Sequence, residues 1–208
     1  MQTKLLIIRH GQSFGNLEKR CCGHEDVDLT ELGIQQAYVC AERLRNEKID
    51  AIYSSDLIRA HKTAVPHSKL RNLPIIDSVN LREIYLGDWE NSKVEFLQTH
   101  YRDSYLIGWC QNFGTFCPPN GESVPQLAER LYNEILRIAK ENVGKTVLIT
   151  THSAALRAFW GKISNIPASE LAEKIQYAQN TSISTVVYDG ENLLPISYSD
   201  GEHLNNIK

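Results

Sequence analysis

The stretch "KLLIIRHGQS", Lys4 to Ser13, decides how the chain reads. Four aliphatic residues, Leu5 to Ile8, stand in a row without polar alternation, and Gly11 closes the segment. A short run that is apolar on both faces fits a central strand of a parallel sheet, where helices cover both sides. Arg9 and His10 then fall at the carboxyl end of that strand. In open parallel sheets ligands bind at this end, because the loops diverge there and the following helices aim their N-termini into the crevice.

The same pattern continues outward. "DLTELGIQQAYVCAERLRNEKID" predicts a helix capped by Thr30, with Leu32, Gln36, Val39, Cys40, Arg43 and Leu44 at helical spacing and an end near Lys48. "AIYSSDLIRAHKTAVPHS" predicts a strand at Ala51 to Tyr53 and a helix beginning near Asp56, which reads as its cap. Ser123 and Gln126 form a capping-box pair ahead of a stripe of Leu127, Leu131, Ile135 and Ile138. Thr146 to Thr150 reads as another buried strand, followed by a helix over Ser153 to Ile163. "TSISTVVYDGENLLPISYS" alternates around Asp189-Gly190, a hairpin signal. No repeat or Pro/Gly/Ser-rich linker interrupts the order, so residues 1–208 read as one α/β domain, a three-layer α/β/α sandwich with a mostly parallel central sheet.

The 208 residues are 42% hydrophobic and 23% charged, enough for one sizeable core. A formal charge of -3 offers no global field for a polyanion, so the reading is no nucleic acid and no acidic membrane surface as partner. No apolar stretch approaches a membrane span or a signal-peptide core, which reads as a cytoplasmic protein. The five cysteines, at 21, 22, 40, 110 and 117, form no CxxC pair and no zinc-ligand spacing, and read as free thiols in a reducing compartment.

His152 follows the strand ending at Thr150 or Thr151, so it shares a sheet edge with His10. Arg9 and Arg59, the latter in the first turn of the helix after Ala51 to Tyr53, reach the same edge. Two guanidinium groups, two imidazoles and free helix N-termini suit a dianion such as a phosphoryl group, and an imidazole kept neutral beside the cations is a nucleophile toward phosphorus. An isolated Arg-His pair would read as structural, so it is the convergence that carries this step. A histidine-based metal site is disfavoured, because the arginines repel a cation.

"RHGQSFGN" resembles the signature of the histidine phosphatase superfamily, the phosphoglycerate mutase-like family, and "RCCGHEDVDLTELG", "YSSDLIRAHKTA", "LREIYLGDWEN", "PPNGESV" and "VLITTHS" recur in the family's order. The resemblance implies the phosphoglycerate mutase-like fold and a set of roles. His10 would attack phosphorus and become phosphohistidine, with Arg9, Arg59 and His152 on the equatorial oxygens. Asn16, Gly23 and Ser153 would complete the phosphate pocket, and Glu83 would be the proton donor, with no metal and no cofactor. On spacing alone Glu83 reads instead as half of a surface ion pair with Arg82 or as a helix cap, and Glu90 as structural.

Two positions depart from the family pattern: Ser153-Ala154 stands where glycine commonly follows the second histidine, and Asn91 where glycine follows Trp-Glu. Family mutases carry a long insertion with added basic residues. Here the corresponding segment, 92–120, holds Lys93 and Arg102 as its cations but Phe96, Tyr101, Tyr105, Trp109, Phe113 and Phe116 as rings, and reads as a mostly helical apolar cap. This favours hydrolysis of a small phosphate monoester. A 2,3-bisphosphoglycerate-dependent mutase and a non-catalytic phosphate-binding module are the alternatives. His203 reads as a solvated terminal residue. The sequence leaves monomer and homodimer open, with the final hairpin and the Trp160 helix as the surfaces an interface would use.

Overall fold

In the computed structural model, residues 1–206 are described. In chain order they form β1 (Thr3–Arg9), α1 (Phe14–Leu17), β2 (Arg20–Cys21), α2 (Glu31–Arg43), β3 (Ala51–Ser55), α3 (Ile58–Arg71), β4 (Ile75–Ser78), β5 (Ser92–Lys93) and α4 (Val94–His100). A π-helical turn at Ser104–Gln111 follows, then α5 (Val124–Glu141), β6 (Thr146–Thr151), α6 (Ser153–Ile163), α7 (Leu171–Lys174), β7 (Ile183–Tyr188) and β8 (Leu193–Asp200).

Six strands make one sheet in the order β4-β3-β6-β1-β7-β8. The β4, β3, β6 and β1 strands run parallel, and the β7–β8 hairpin adds antiparallel to β1. The Leu5 to Ile8 run explains the layering, because side chains alternate across a strand. Leu5 and Ile7 pack with Val147, Ile149 and the α5 stripe of Leu127, Leu131, Ile135 and Ile138. Leu6 and Ile8 pack on the other face with Ile52, Leu148, Cys40 and Ala64 from α2 and α3. Each fully buried Leu or Ile contributes about 2 kcal/mol relative to exposure.

Several local expectations shift. The α2 helix ends at Arg43 with Leu44 as its C-cap, earlier than Lys48, and its buried face is Gly33, Ala37, Cys40 and Ala41. Small residues there let α2 approach the sheet closely. Asp56 does not cap α3. Leu57 holds that position, and Asp56 accepts from Arg82 Nε at 2.7 Å and from Nη2. Trp160 itself is 6% exposed and packs at a tilt against Tyr198, so its ring offers little surface to a partner. On the hairpin, Leu194 and Ile196 are exposed.

His203 lies in a terminal 3₁₀ turn, half-buried, with neither ring nitrogen partnered, so it is not the solvated residue expected, and it is not on the wall of the cavity that His10 lines. His67, on α3, is fully buried, and both of its ring nitrogens also lack a partner. Burial, then Arg71 and His203, depress its pKa to about 3.

Candidate active site

β1 delivers Arg9 and His10 to the carboxyl edge of the sheet, and backbone bonds from both flanks fix them there. His10 N donates to Thr151 O at 2.9 Å, and Asn180 Nδ2 donates to His10 O at 2.9 Å. The next residues pack against α2 at van der Waals limits. A Cβ on Gly11 would lie 2.4 Å from Gly33 O, and one on Gly33 would lie 2.0 Å from Gln12 O. Only a hydrogen fits at either position, which accounts for both glycines.

His10 Nδ1 lies 2.7 Å from Gly11 O. A carbonyl oxygen can only accept, so Nδ1 carries the hydrogen and Nε2 keeps its lone pair. Burial first, then Arg59 and Arg9, push the His10 pKa well below the usual histidine value. The result is a neutral imidazole with a directed, unprotonated Nε2.

Arg59, 1% exposed, uses its guanidinium to hold the loop before α2, donating to Glu25 O and Gly23 O at 2.8 Å each and to Cys22 O at 3.3 Å. Arg9 Nη1 donates to Ala178 O at 2.6 Å while its buried Nε has no partner. Burial lowers the Arg9 pKa to about 10, which leaves it cationic at neutral pH. Asn16 closes a capping box with Ser13 and presents its side chain to the same cavity.

His152 caps α6 from β6, fully buried, with Nε2 2.8 Å from Ser55 Oγ and Nδ1 without a partner. Its pKa is depressed by burial and then by Arg59 and His10. Ser153, the first residue of α6, lines the cavity with a buried, unpartnered Oγ. Glu83 sits across from it. Its Oε1 accepts from Ala155 N at 2.8 Å and Ile84 N at 3.0 Å, and its Oε2 accepts from Ala154 N at 3.0 Å. The α6 N-terminus therefore holds this carboxylate, and the ion pair with Arg82 suggested by spacing is absent because Arg82 is bound to Asp56.

These residues converge on a cavity of about 240 Å³ lined by Arg9, His10, Asn16, Arg59, Glu83 and Ser153. His152 stands behind this wall, in ring contact with His10. Gly23 is also off the wall: its N–H donates to Glu90 Oε2 at 3.1 Å and its carbonyl receives Arg59. A Cβ there would come within 2.2 Å of Ile84 O, so close packing explains this glycine better than phosphate contact. Glu90 is structural, accepting from the backbone N–H groups of Gly23, His24, Glu25 and Leu86. Asn91 has a φ of 59°, a left-handed conformation that glycine adopts freely and asparagine tolerates, so the departure keeps the backbone turn.

Arg20, Cys22, Ile84, Leu86, Tyr105, Trp109 and Tyr177 also line the cavity. The first four fall inside motif segments read for other residues, and Tyr177 lies outside every segment the sequence singled out. Tyr105 and Trp109 come from the π-helical turn and pack around the buried Trp89 with ring centroids 6.0 and 6.4 Å away. Tyr177 belongs to a strap after α7 that also supplies Ala178 and Asn180. Arg157 lies 4.6 Å from the Phe113 ring and 4.3 Å from the Tyr177 ring, anchoring the strap to the 92–120 segment.

A family model described as "Histidine phosphatase superfamily (branch 1)" matches residues 5–200. The chain is 31% identical over 207 residues to an Arabidopsis thaliana metal-independent phosphoserine phosphatase, covering 99% of this chain and 84% of the relative. It is 30% identical over 205 residues to the Arabidopsis phosphoglycerate mutase-like protein 4, covering 97% and 87%. Among solved structures, Bacillus stearothermophilus YhfR superposes with a TM-score of 0.92 at 30% identity, covering 98% of this chain and all of the other. An Entamoeba histolytica phosphoserine phosphatase solved with 3-phosphoglyceric acid superposes with a TM-score of 0.81 at 27% identity, covering 97% and 99%.

Proposed function

This chain belongs to the histidine phosphatase superfamily, and on that premise we propose that it is a metal-independent phosphomonoesterase working through a phosphohistidine on His10. The observation that carries the reading is the His10 tautomer: Nδ1–H is committed to Gly11 O, and Nε2 is left unprotonated on a wall that also carries Arg9 and Arg59.

In the first step the Nε2 lone pair forms the N–P bond while the P–O ester bond breaks in line, and protonated Glu83 delivers its proton to the departing alkoxide. Arg9, Arg59, Asn16 and the Ser153 amide and hydroxyl at the start of α6 hold the equatorial oxygens, the next two amides of that helix being taken by Glu83. His152, in ring contact with His10, offers its unpartnered Nδ1 to one of these oxygens. The Gly11 carbonyl stabilises the positive charge that phosphorylation places on the ring, because it accepts Nδ1–H throughout. In the second step Glu83, now a carboxylate, takes a proton from water. The resulting oxygen attacks phosphorus, the N–P bond breaks, and neutral His10 and inorganic phosphate are regenerated. The arginines supply the charge that the transition state needs.

Segment 92–120 is assigned the role of cap over the leaving group, supported by Tyr105 and Trp109 on the cavity wall. Lys93 and Arg102 are not on that wall, which favours hydrolysis over a bisphosphate mutase cycle. No helix among the described residues is long and apolar enough to cross a membrane. A cytoplasmic setting is supported by the five free cysteines.

The test is phosphate release from p-nitrophenyl phosphate and a panel of metabolite monoesters in EDTA, comparing wild type with His10→Ala. Chelator-resistant turnover that disappears in the variant is the expected result. Wild-type silence on every ester, or full activity of the variant, overturns the reading.

A further inference from the structure

His152 is fully buried, and burial, then Arg59 and His10, keep its pKa well below the usual value, so its ring is neutral in the free enzyme and carries a single hydrogen. The nitrogen that holds this hydrogen decides what the ring can do. With the hydrogen on Nδ1, which has no protein partner, the ring is a donor for a phosphoryl oxygen. With it on Nε2, Nδ1 turns a lone pair toward the same oxygen and repels it.

The hydroxyl groups beside Nε2 make the choice. Thr150 on β6 and Ser54 on β3 are paired across the sheet, and their oxygens lie 2.8 Å apart. Ser54 Oγ donates to Ser55 O at 2.6 Å. A carbonyl can only accept, so the Ser54 hydrogen is spent there and Thr150 is the donor in the bond between the two hydroxyls. Neither hydrogen is left for the next residue.

Ser55 is 0% exposed, and among the described residues its Oγ has two partners. One is the Leu57 N–H, which can only donate, at 3.4 Å, and the other is His152 Nε2 at 2.8 Å. The Ser55 hydrogen therefore has one acceptor within reach, the lone pair of Nε2. The reverse assignment would strand two buried groups, the Ser55 O–H and the lone pair on Nδ1. The forward one leaves open only Nδ1–H, which a phosphoryl group at the neighbouring His10 ring satisfies.

We propose that Ser55 is a positioning residue that fixes His152 as the Nδ1–H tautomer, so that this ring donates to the transferring phosphoryl group while remaining neutral. This rests on the phosphomonoesterase reading above. Free neutral histidine prefers its hydrogen on Nε2, so the Ser55 hydroxyl works against an intrinsic bias, and without it nothing holds the donor form. The two histidines are thus the same tautomer for opposite purposes. Gly11 O holds Nδ1–H of His10 so that Nε2 can attack, and Ser55 holds Nε2 of His152 so that Nδ1 can donate.

Side-chain ¹⁵N spectra of the free enzyme, with the His152 signals identified by their loss in His152→Ala, read the tautomer whether or not an ester is turned over. Wild type is expected to show His152 protonated at Nδ1, and Ser55→Ala to move the hydrogen to Nε2. On p-nitrophenyl phosphate, Ser55→Ala should lower kcat about tenfold or more, with a smaller change in KM. Added to His152→Ala, the same substitution should cost nothing further, because the serine acts through that ring, whereas a merely structural serine slows both backgrounds alike. An Nε2–H ring in wild type, a tautomer unmoved in Ser55→Ala, or equal losses in the two backgrounds overturns the assignment. Because the spectra need no turnover, its failure is distinguishable from failure of the phosphatase reading.

Discussion

The imidazole rings of His10 and His152 stand 5.2 Å apart, centroid to centroid, at an interplanar angle of 59°. The two rings are held from two strands of the same sheet edge, one through Gly11 after β1 and the other through Ser55 at the end of β3, with β6 between them. His152 Nδ1 has no partner, so a phosphoryl oxygen brought to His10 gives it one. Replacing His152 by Ala is expected to lower kcat by about a hundredfold or more, the cost of losing one transition-state donor, with a smaller change in KM. Steady-state kinetics on p-nitrophenyl phosphate make the check.

Glu83 is bound through both carboxylate oxygens to three backbone N–H groups. Glu83→Gln keeps the shape but cannot donate or accept the proton, so kcat on an alkyl phosphate should fall about a hundredfold or more. With p-nitrophenyl phosphate, whose leaving group departs without a proton, the phosphoenzyme should accumulate because water is no longer activated. Acid-labile label retained on the protein after rapid quenching with a radiolabelled ester measures this. Its amide nitrogen would also face an N–H donor, so some loss of melting temperature is expected alongside.

The neutral state of His10 can be read directly. Its pKa lies well below the usual value, so side-chain ¹⁵N spectra at pH 6.5 should show a neutral ring protonated at Nδ1 in the free enzyme. In Arg9→Met a repelling charge is gone, and the titration should begin at higher pH than in wild type. An imidazolium signal in wild type at pH 6.5 would sink the assignment.

His67 makes a prediction about stability. It is neutral in the fold, with a pKa of about 3, and titrates near 6.5 when unfolded. The unfolded chain therefore binds more protons in that window, so the His67 contribution is fully present above pH 6.5 and is lost as pH falls from there toward 3. The slope is about 1.4 kcal/mol per pH unit from this residue alone. Urea unfolding at pH 7.5 and 5.0 should show the loss, and His67→Leu should reduce it.

Gly33 and Gly11 touch through backbone atoms. Gly33→Ala should destabilise by about 1–3 kcal/mol or more, lowering the melting temperature by about 2–4 °C per kcal/mol at this chain length, and should reduce activity because Gln12 and His10 shift with it. A calorimetric scan beside the p-nitrophenyl phosphate assay tests both parts.

The residues readable in sequence are those whose placement follows from a local rule. Leu5 to Ile8 specify a doubly buried strand, Ser123 and Gln126 a capped helix, and His10, Arg59 and His152 lie just past strands or in a first helical turn. Other features depend on contacts that no spacing encodes. Asp56 looks like a helix cap until Arg82, supplied from another element, claims it. The strap at residues 177–180 reaches the site through the Tyr177 ring, the Ala178 carbonyl and the Asn180 side chain, which leave no periodicity. Asn91 became intelligible only with its positive φ, and Gly23 only with the position of Ile84 O.

The order of the sheet also has a consequence for biosynthesis. The β1 strand, which carries the nucleophile, is made first, yet its neighbours are β6 and β7, drawn from residues 146–151 and 183–188. Until those segments leave the ribosome, His10 has neither the Thr151 carbonyl nor the Asn180 amide that fix it. A nascent chain therefore carries this histidine without a site to make it reactive, and competence arrives only when the later strands close around the first one.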